Sequence, residues 1–289
     1  MNGVRAALLL SCRDTPGIVA AVGRFVADSP GNIVEADQHS DAAAGLFLQR
    51  VEFDTPRSAG ELHDAFAPVA ERFAMTWELH DLERSARIAV LASNQGHCLG
   101  DLLVRCDLGE LPASVVAVIS NHPTHGPLAA RFDVPFHHVE VADTSEGAVV
   151  DARAAQERAV SELLDTYAPD VVVLARYMRI LPAWLVARWA NRMINIHHSF
   201  LPSFAGARPY AQAHDRGVKV IGATAHYVTA ELDEGPIIAQ QVLSVSHRDD
   251  PARLARRGRD VESVVLAEAV RLHLERRVVV YGRRTAVFD

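Results

Sequence analysis

Lysine is almost missing from this chain: Lys219 is the single one among 29 basic residues, the rest being arginine. Chemistry that needs an amine nucleophile or a Schiff base is therefore largely excluded. Cysteine is nearly as sparse. Cys12, Cys98 and Cys106 are an odd number and form no Cys-x-x-Cys pair, which argues against a disulfide framework or a cysteine-based zinc site and for a reducing compartment, the cytoplasm. Long apolar runs are also absent. No stretch approaches the ~20 residues that cross a bilayer. Leu8-Leu9-Leu10 is followed at once by Arg13 and Asp14, which marks a buried first strand rather than a signal peptide. No basic stripe relieves a formal net charge of −7, so neither nucleic acid nor membrane is an expected partner. His-Glu-x-x-His and Gly-x-Ser-x-Gly do not occur, which removes two common hydrolase readings.

What is present is ordinary for a globular chain: 289 residues, 49% hydrophobic and 22% charged, enough for one large domain or two. Apolar spacing predicts a strand over 5–12, a turn at Asp14-Thr15-Pro16-Gly17, and a helix stopped by Pro30-Gly31-Asn32. Two alternating segments, NIVEADQHSD and GLFLQRVEFD, follow as strands. A helix over 58–73 and a strand in MTWELHDL complete a βαββαβ order, the split-βαβ, ferredoxin-like arrangement. Charge density rises at DLERSAR (81–87), and the rhythm then changes. Strands at 88–93, 114–120, 170–175 and 192–197 alternate with helices beginning near His97, Asp151 and Pro182. Fully apolar strands of this kind belong to a parallel sheet buried on both faces, a Rossmann-like α/β domain. The expected division is 1–83 and 84–289.

In open parallel sheets, functional groups gather beyond the carboxyl ends of the strands. Four segments fall there: SNQGHCLGD (93–101), LARYMRILP (174–182), NIHHSFLP (195–202) and GATAHYVTAELDEGPII (222–238). They hold Asn195, His197, His198, His226 and Asp233. Adjacent histidines alternate sides on an extended backbone, so His197 and His198 are not expected to share a metal, and no metal site is predicted. Acid–base chemistry without a covalent intermediate remains, for which Asn195, His197 and Asp233 supply an amide, an imidazole and a carboxylate. Taken singly, each also fits a plain structural role: a turn asparagine, a core histidine, and the start of the turn Asp233-Glu234-Gly235-Pro236.

INIHHSFLPSFAGARPY, ARYMRILP and GATAHYVTAELDEGPII resemble the folate-dependent formyltransferase family. HCLGDLL (97–103), the second histidine at His198, GARPY (206–210) and GRDVE (258–262) more specifically resemble the family's formyltetrahydrofolate deformylase branch. DTPGIV and PGNIVEADQ make the first domain similar to an ACT domain. The resemblance covers nearly the whole chain. It implies catalytic roles for Asn195, His197 and Asp233, with His226 accompanying the aspartate. The pterin pocket would be lined by Met178, Arg179, Ile180 and Leu181 and by a 228–236 loop containing Gly235; for Met178, Ile180 and Leu181 the alternative is core packing. Two positions depart from the pattern: Ala230, where relatives often carry a polar residue, and the small Ala205.

The implied reaction is hydrolysis of 10-formyltetrahydrofolate to formate and tetrahydrofolate. Asn195 and His197 would polarise the formyl group and Asp233 would activate water, with no cofactor required. A transferase of this fold carries a glycine-rich phosphate loop after its first strand. Here that position reads SNQGHCLGD, where Gly96 and Gly100 stand apart, so water is the expected acceptor. Two alternatives stay open: formyl transfer to another amine, and a non-catalytic folate or amino-acid sensor. The ACT-like domain is expected to support a homo-oligomer and to bind a small amino-acid effector near Asp14, Gly17, Asn32 and Ile33, though all four also suit simple turn chemistry.

Overall fold

The computed structural model describes residues 4–140, 149–202 and 209–289. Its contacts divide the chain into two units, Met1–Ser85 with Glu275–Asp289, and Ala86–Leu274. The expected 84–289 domain is therefore too long at its far end, because the last segment returns to the first unit.

The first unit runs β1 (Val4–Arg13), α1 (Ile18–Asp28), β2 (Asn32–Asp41), β3 (Leu46–Thr55), α2 (Ala59–Arg72) and β4 (Thr76–Asp81). The sheet order β2-β3-β1-β4, with antiparallel neighbours, is the ferredoxin-like order expected from the sequence. Ser58 caps α2 through a reciprocal box with Glu61, which fixes the helix start. Alternation along the strands gives the sheet two apolar faces. Leu8, Leu10, Val51 and Phe53 pack beneath the helices with Phe25 and Phe66. Leu9 and Leu48 face the other way, against Val279 and Phe288. Those two belong to the returning segment, which adds β12 (Val278–Tyr281) and, at its end, β13 (Arg284–Val287) as a hairpin.

Arg50 lies on that second face and is 1% exposed. Its guanidinium donates to Glu35 and Glu52 at 2.5 and 2.6 Å and to the carbonyls of Arg276 and Glu275 at 2.9 and 3.2 Å. Arg277 shares Glu35 at 2.9 Å. Burial raises the Glu35 pKa, but the two guanidiniums outweigh it and hold the carboxyl below its usual range.

The second unit comprises β5 (Ala86–Ala92), α3 (His97–Asp107), β6 (Ala113–Ser120), α4 (Gly126–Ala130), β7 (Phe136–His138), α5 (Val149–Tyr167), β8 (Val171–Ala175), α6 (Ala183–Arg188), β9 (Met193–His197), α7 (Pro209–Asp215), β10 (Val220–Tyr227), β11 (Ile237–Ser244) and α8 (Pro251–Leu274). Its sheet order is β11-β10-β9-β8-β5-β6-β7. The strands from β9 to β7 pair in parallel, and β10 and β11 run antiparallel at one edge. The Val171–Ala175 strand is buried throughout, as a central strand covered on both faces must be. Helices α5 and α6 supply Val160, Leu164 and Leu185 to one core, and α3 packs with α8.

Candidate active site

Parallel pairing brings the ends of β5, β8 and β9 to one edge of the sheet, and antiparallel β10 returns beside β9. The register sets His226 directly opposite Asn195. Their side chains therefore share a face, and the Asn195 amide meets His226 Nε2 at 3.2 Å. His226 Nδ1 must be the donor to the Tyr227 carbonyl at 2.9 Å. Its Nε2 is then free to accept one Asn195 N–H, which leaves the second hydrogen of that NH2 for another acceptor.

Asp233 reaches these groups because the chain turns sharply after β10. It has a φ of +57, a region that aspartate tolerates better than most residues. Gly235 is required just after it: a Cβ there would stand 1.7 Å from the Tyr227 carbonyl oxygen. The turn sets the Asp233 carboxylate 3.2 Å from His197 Nδ1 and 3.7 Å from His226 Nε2. Burial pushes its pKa up, but the His197 and His226 imidazoles beside it prevail and hold it well below the carboxylate range. The other His197 nitrogen, Nε2, is buried and has no partner among the described residues.

A cavity of about 570 Å³ opens on this cluster, within the size range of small-molecule sites. Asn195, His197, His226 and Asp233 line it, as do Met178, Arg179, Ile180 and Leu181. Met178 and Ile180 are 61% and 59% exposed. The core-packing alternative thus fails for these two, whereas Leu181 does pack against the α5–α6 core. Ser93 holds the 176–181 loop in place by accepting the Met178 N–H at 3.1 Å. Ala230 also faces the cavity. Gly235 is not among the lining residues; it lies under the loop and allows it to fold. Ala205 and most of GARPY fall in 203–208, outside the described residues.

His198 departs from the expectation. β9 ends at His197, so strand alternation stops there and His198 turns into the same cavity. The two rings stand 5.1 Å apart. Burial first, then the charges of Arg176 and His197, lowers the His198 pKa to about 4. The sequence also gave no role to Glu262, which is fully buried in α8. Its carboxylate lies 2.7 Å from His97 Nε2 and 3.3 Å from Arg176 Nε, and it accepts the Tyr210 hydroxyl at 2.5 Å.

The four effector candidates do not meet within one chain. Arg13, next to Asp14, pairs with Leu46 at one end of β3, whereas Asn32 pairs with Asp54 at the other. Asp14 and Gly17 follow β1, and α1 carries the chain back along the sheet before Asn32 and Ile33 begin β2.

The Formyl transferase family model matches residues 86–270, nearly the whole second unit. A formyltetrahydrofolate deformylase from a Synechocystis strain is 50% identical over 100% of both chains. One from Bacillus subtilis is 46% identical over 100% of this chain and 95% of its own. This chain belongs to the formyltetrahydrofolate deformylase family. A solved deformylase structure from Pseudomonas syringae matches at a TM-score of 0.93 and 46% identity, over 99% of this chain and 94% of that one. Family membership thus covers both units, including the returning hairpin. Among the described residues, no helix is long and apolar enough to cross a membrane.

Proposed function

We propose that this chain hydrolyses 10-formyltetrahydrofolate to tetrahydrofolate and formate. The observation that carries this reading is the convergence of an amide, an imidazole and an ionised carboxylate on one largely apolar cavity. The free hydrogen of the Asn195 amide faces the formyl oxygen and stabilises the charge it gains, with His197, held by Asp233, beside it to polarise the group; losing such a donor costs about 10²–10³ in rate. Asp233, kept ionised by its two histidines, orients water and accepts its proton, a contribution of about 10²–10⁴. A C–O bond forms, the C–N10 bond breaks, and a proton passes to the departing nitrogen. Met178 and Ile180 cover the pterin. Arg179 and Arg259, also on the cavity wall, suit the glutamate carboxylates of a folate.

The reaction needs only water beyond the substrate, so no cofactor is assigned, and the cytoplasm is its expected setting. The first unit is assigned to self-association and to binding of a small amino-acid effector. The test is formate release from 10-formyltetrahydrofolate without added amine. The wild type releases formate and tetrahydrofolate in equal amounts, and Asp233→Asn loses about 10² or more of that rate. Tight folate binding without formate release would overturn the reading in favour of transfer to an amine or of a folate sensor.

A further inference from the structure

The cavity that holds Asp233 and His197 is also lined by Gln95, Arg176, His198 and Tyr210. With the 178–181 and 228–233 loops given to the pterin, these four residues are the ones left to meet the attacking molecule. Hydrolysis and transfer differ only in what fits there, so the construction of this wall bears directly on the choice.

Its anchor is Glu262, one turn after Gly258 on α8. A Cβ at Gly258 would lie 2.0 Å from the Tyr210 hydroxyl, so the missing side chain forms the slot into which that phenol inserts. The phenol then donates to one Glu262 oxygen, while His97 and Arg176 hold the other. A carboxylate with no solvent exposure cannot be left unpaired, and its three partners are correspondingly fixed. His198 bridges the wall to the reacting groups, with its ring 5.1 Å from His197 and 6.3 Å from Tyr210. His97, Cys98 and Glu262 also lie close enough together to suggest a cation site. The Arg176 cation already occupies that carboxylate, and burial pushes the Cys98 thiol far above its usual range, which favours the ion-pair reading.

We propose that Tyr210 and His198, clamped by the Glu262–Arg176–His97 cluster, form an acceptor-side wall that admits water and rejects amines. The inference rests on the hydrolase reading and names the residues that set its specificity. Widening the wall lets a small amine reach the formyl carbon. Its nitrogen forms the new C–N bond, the C–N10 bond breaks as before, and the proton lost by the amine passes through Asp233 to N10.

The experiment supplies 10-formyltetrahydrofolate with glycinamide and measures formate and N-formylglycinamide by mass spectrometry. Tyr210→Ala opens the wall, Tyr210→Phe keeps its volume, and His198→Ala opens it without touching the buried carboxylate. The expected result is formate from the wild type, with N-formylglycinamide only a small, measurable fraction of it. The amide-to-formate ratio rises about tenfold or more in Tyr210→Ala or His198→Ala and stays at the wild-type value in Tyr210→Phe. A ratio unmoved in every variant that folds, with formate still released, overturns the wall. An equal rise in Tyr210→Phe also overturns it, since volume would then not be the cause. No formate from the wild type overturns the hydrolase reading itself, and this inference with it.

Discussion

Two imidazoles leave β9 side by side, and their surroundings differ sharply. His197 is coupled to the Asp233 carboxylate. His198 is crowded by Arg176 and its neighbouring histidine, with Glu262 and Asp233 only partly offsetting them. A histidine whose folded pKa is about 4, against about 6.5 when unfolded, takes up its proton in the unfolded chain first. The unfolded state then binds more protons between those values, so stability falls as pH drops through that window. The melting temperature of the wild type is expected to decrease between pH 7 and pH 5, with a shallower slope in His198→Gln; equal slopes would contradict the assignment. Asn195→Ala is expected to lower kcat by about 10²–10³, read as formate release under saturating folate. Gly235→Ala places a methyl group against the Tyr227 carbonyl and must shift Asp233. Misplacement of that order costs about 100-fold in rate, with folate affinity changed less. That Asn195, His197 and Asp233 meet at one cavity follows from segments that the sequence placed beyond the strand ends of one sheet. Glu262 stood out only as the last residue of GRDVE, and its burial follows from the packing of α3 and α7 against α8. His198 was misread because alternation holds only while the strand lasts.

Elements that bury both faces announced themselves, and those that bury one did so less clearly. β5, β6 and β8 are short apolar runs that flanking turns delimit. β11, with Gln240 and Gln241 near its centre and much of its surface exposed, carries a weaker signal at the sheet edge. The β12–β13 hairpin gave no local sign of its partner, since Val279 and Phe288 are matched to Leu9 and Leu48 only through tertiary contact. Arg50 shows how that contact is specified: a cation in the middle of a strand is matched by two acids and by two carbonyls of the returning segment. Arg50→Ala leaves Glu35 and Glu52 facing each other without it. A loss of about 3 kcal/mol is expected, the lower end for a broken buried pair, because Glu35 is still a third exposed and keeps Arg277. Urea unfolding followed through the first unit's Trp77 checks this, and a loss below about 1 kcal/mol would indicate a solvated pair instead.

At the scale of the whole molecule, a βαββαβ order gives way to alternating strands and helices, and each architecture leaves its own period in the sequence; contacts divide the chain after Ser85. What the period could not show is that the first unit is discontinuous. Removal of residues 275–289 is expected to uncover Leu9, Leu48 and the Arg50 guanidinium. Calorimetry of such a truncation should show the first unit melting earlier than in the full chain. The same discontinuity bears on synthesis. A ribosome adding about 5–20 residues per second needs on the order of ten to forty seconds to translate the stretch between the two parts of this unit. Throughout that interval the nascent sheet has its helices but not its hairpin, and one apolar face waits uncovered outside the exit tunnel. The fold is thus completed last at the end that was made first.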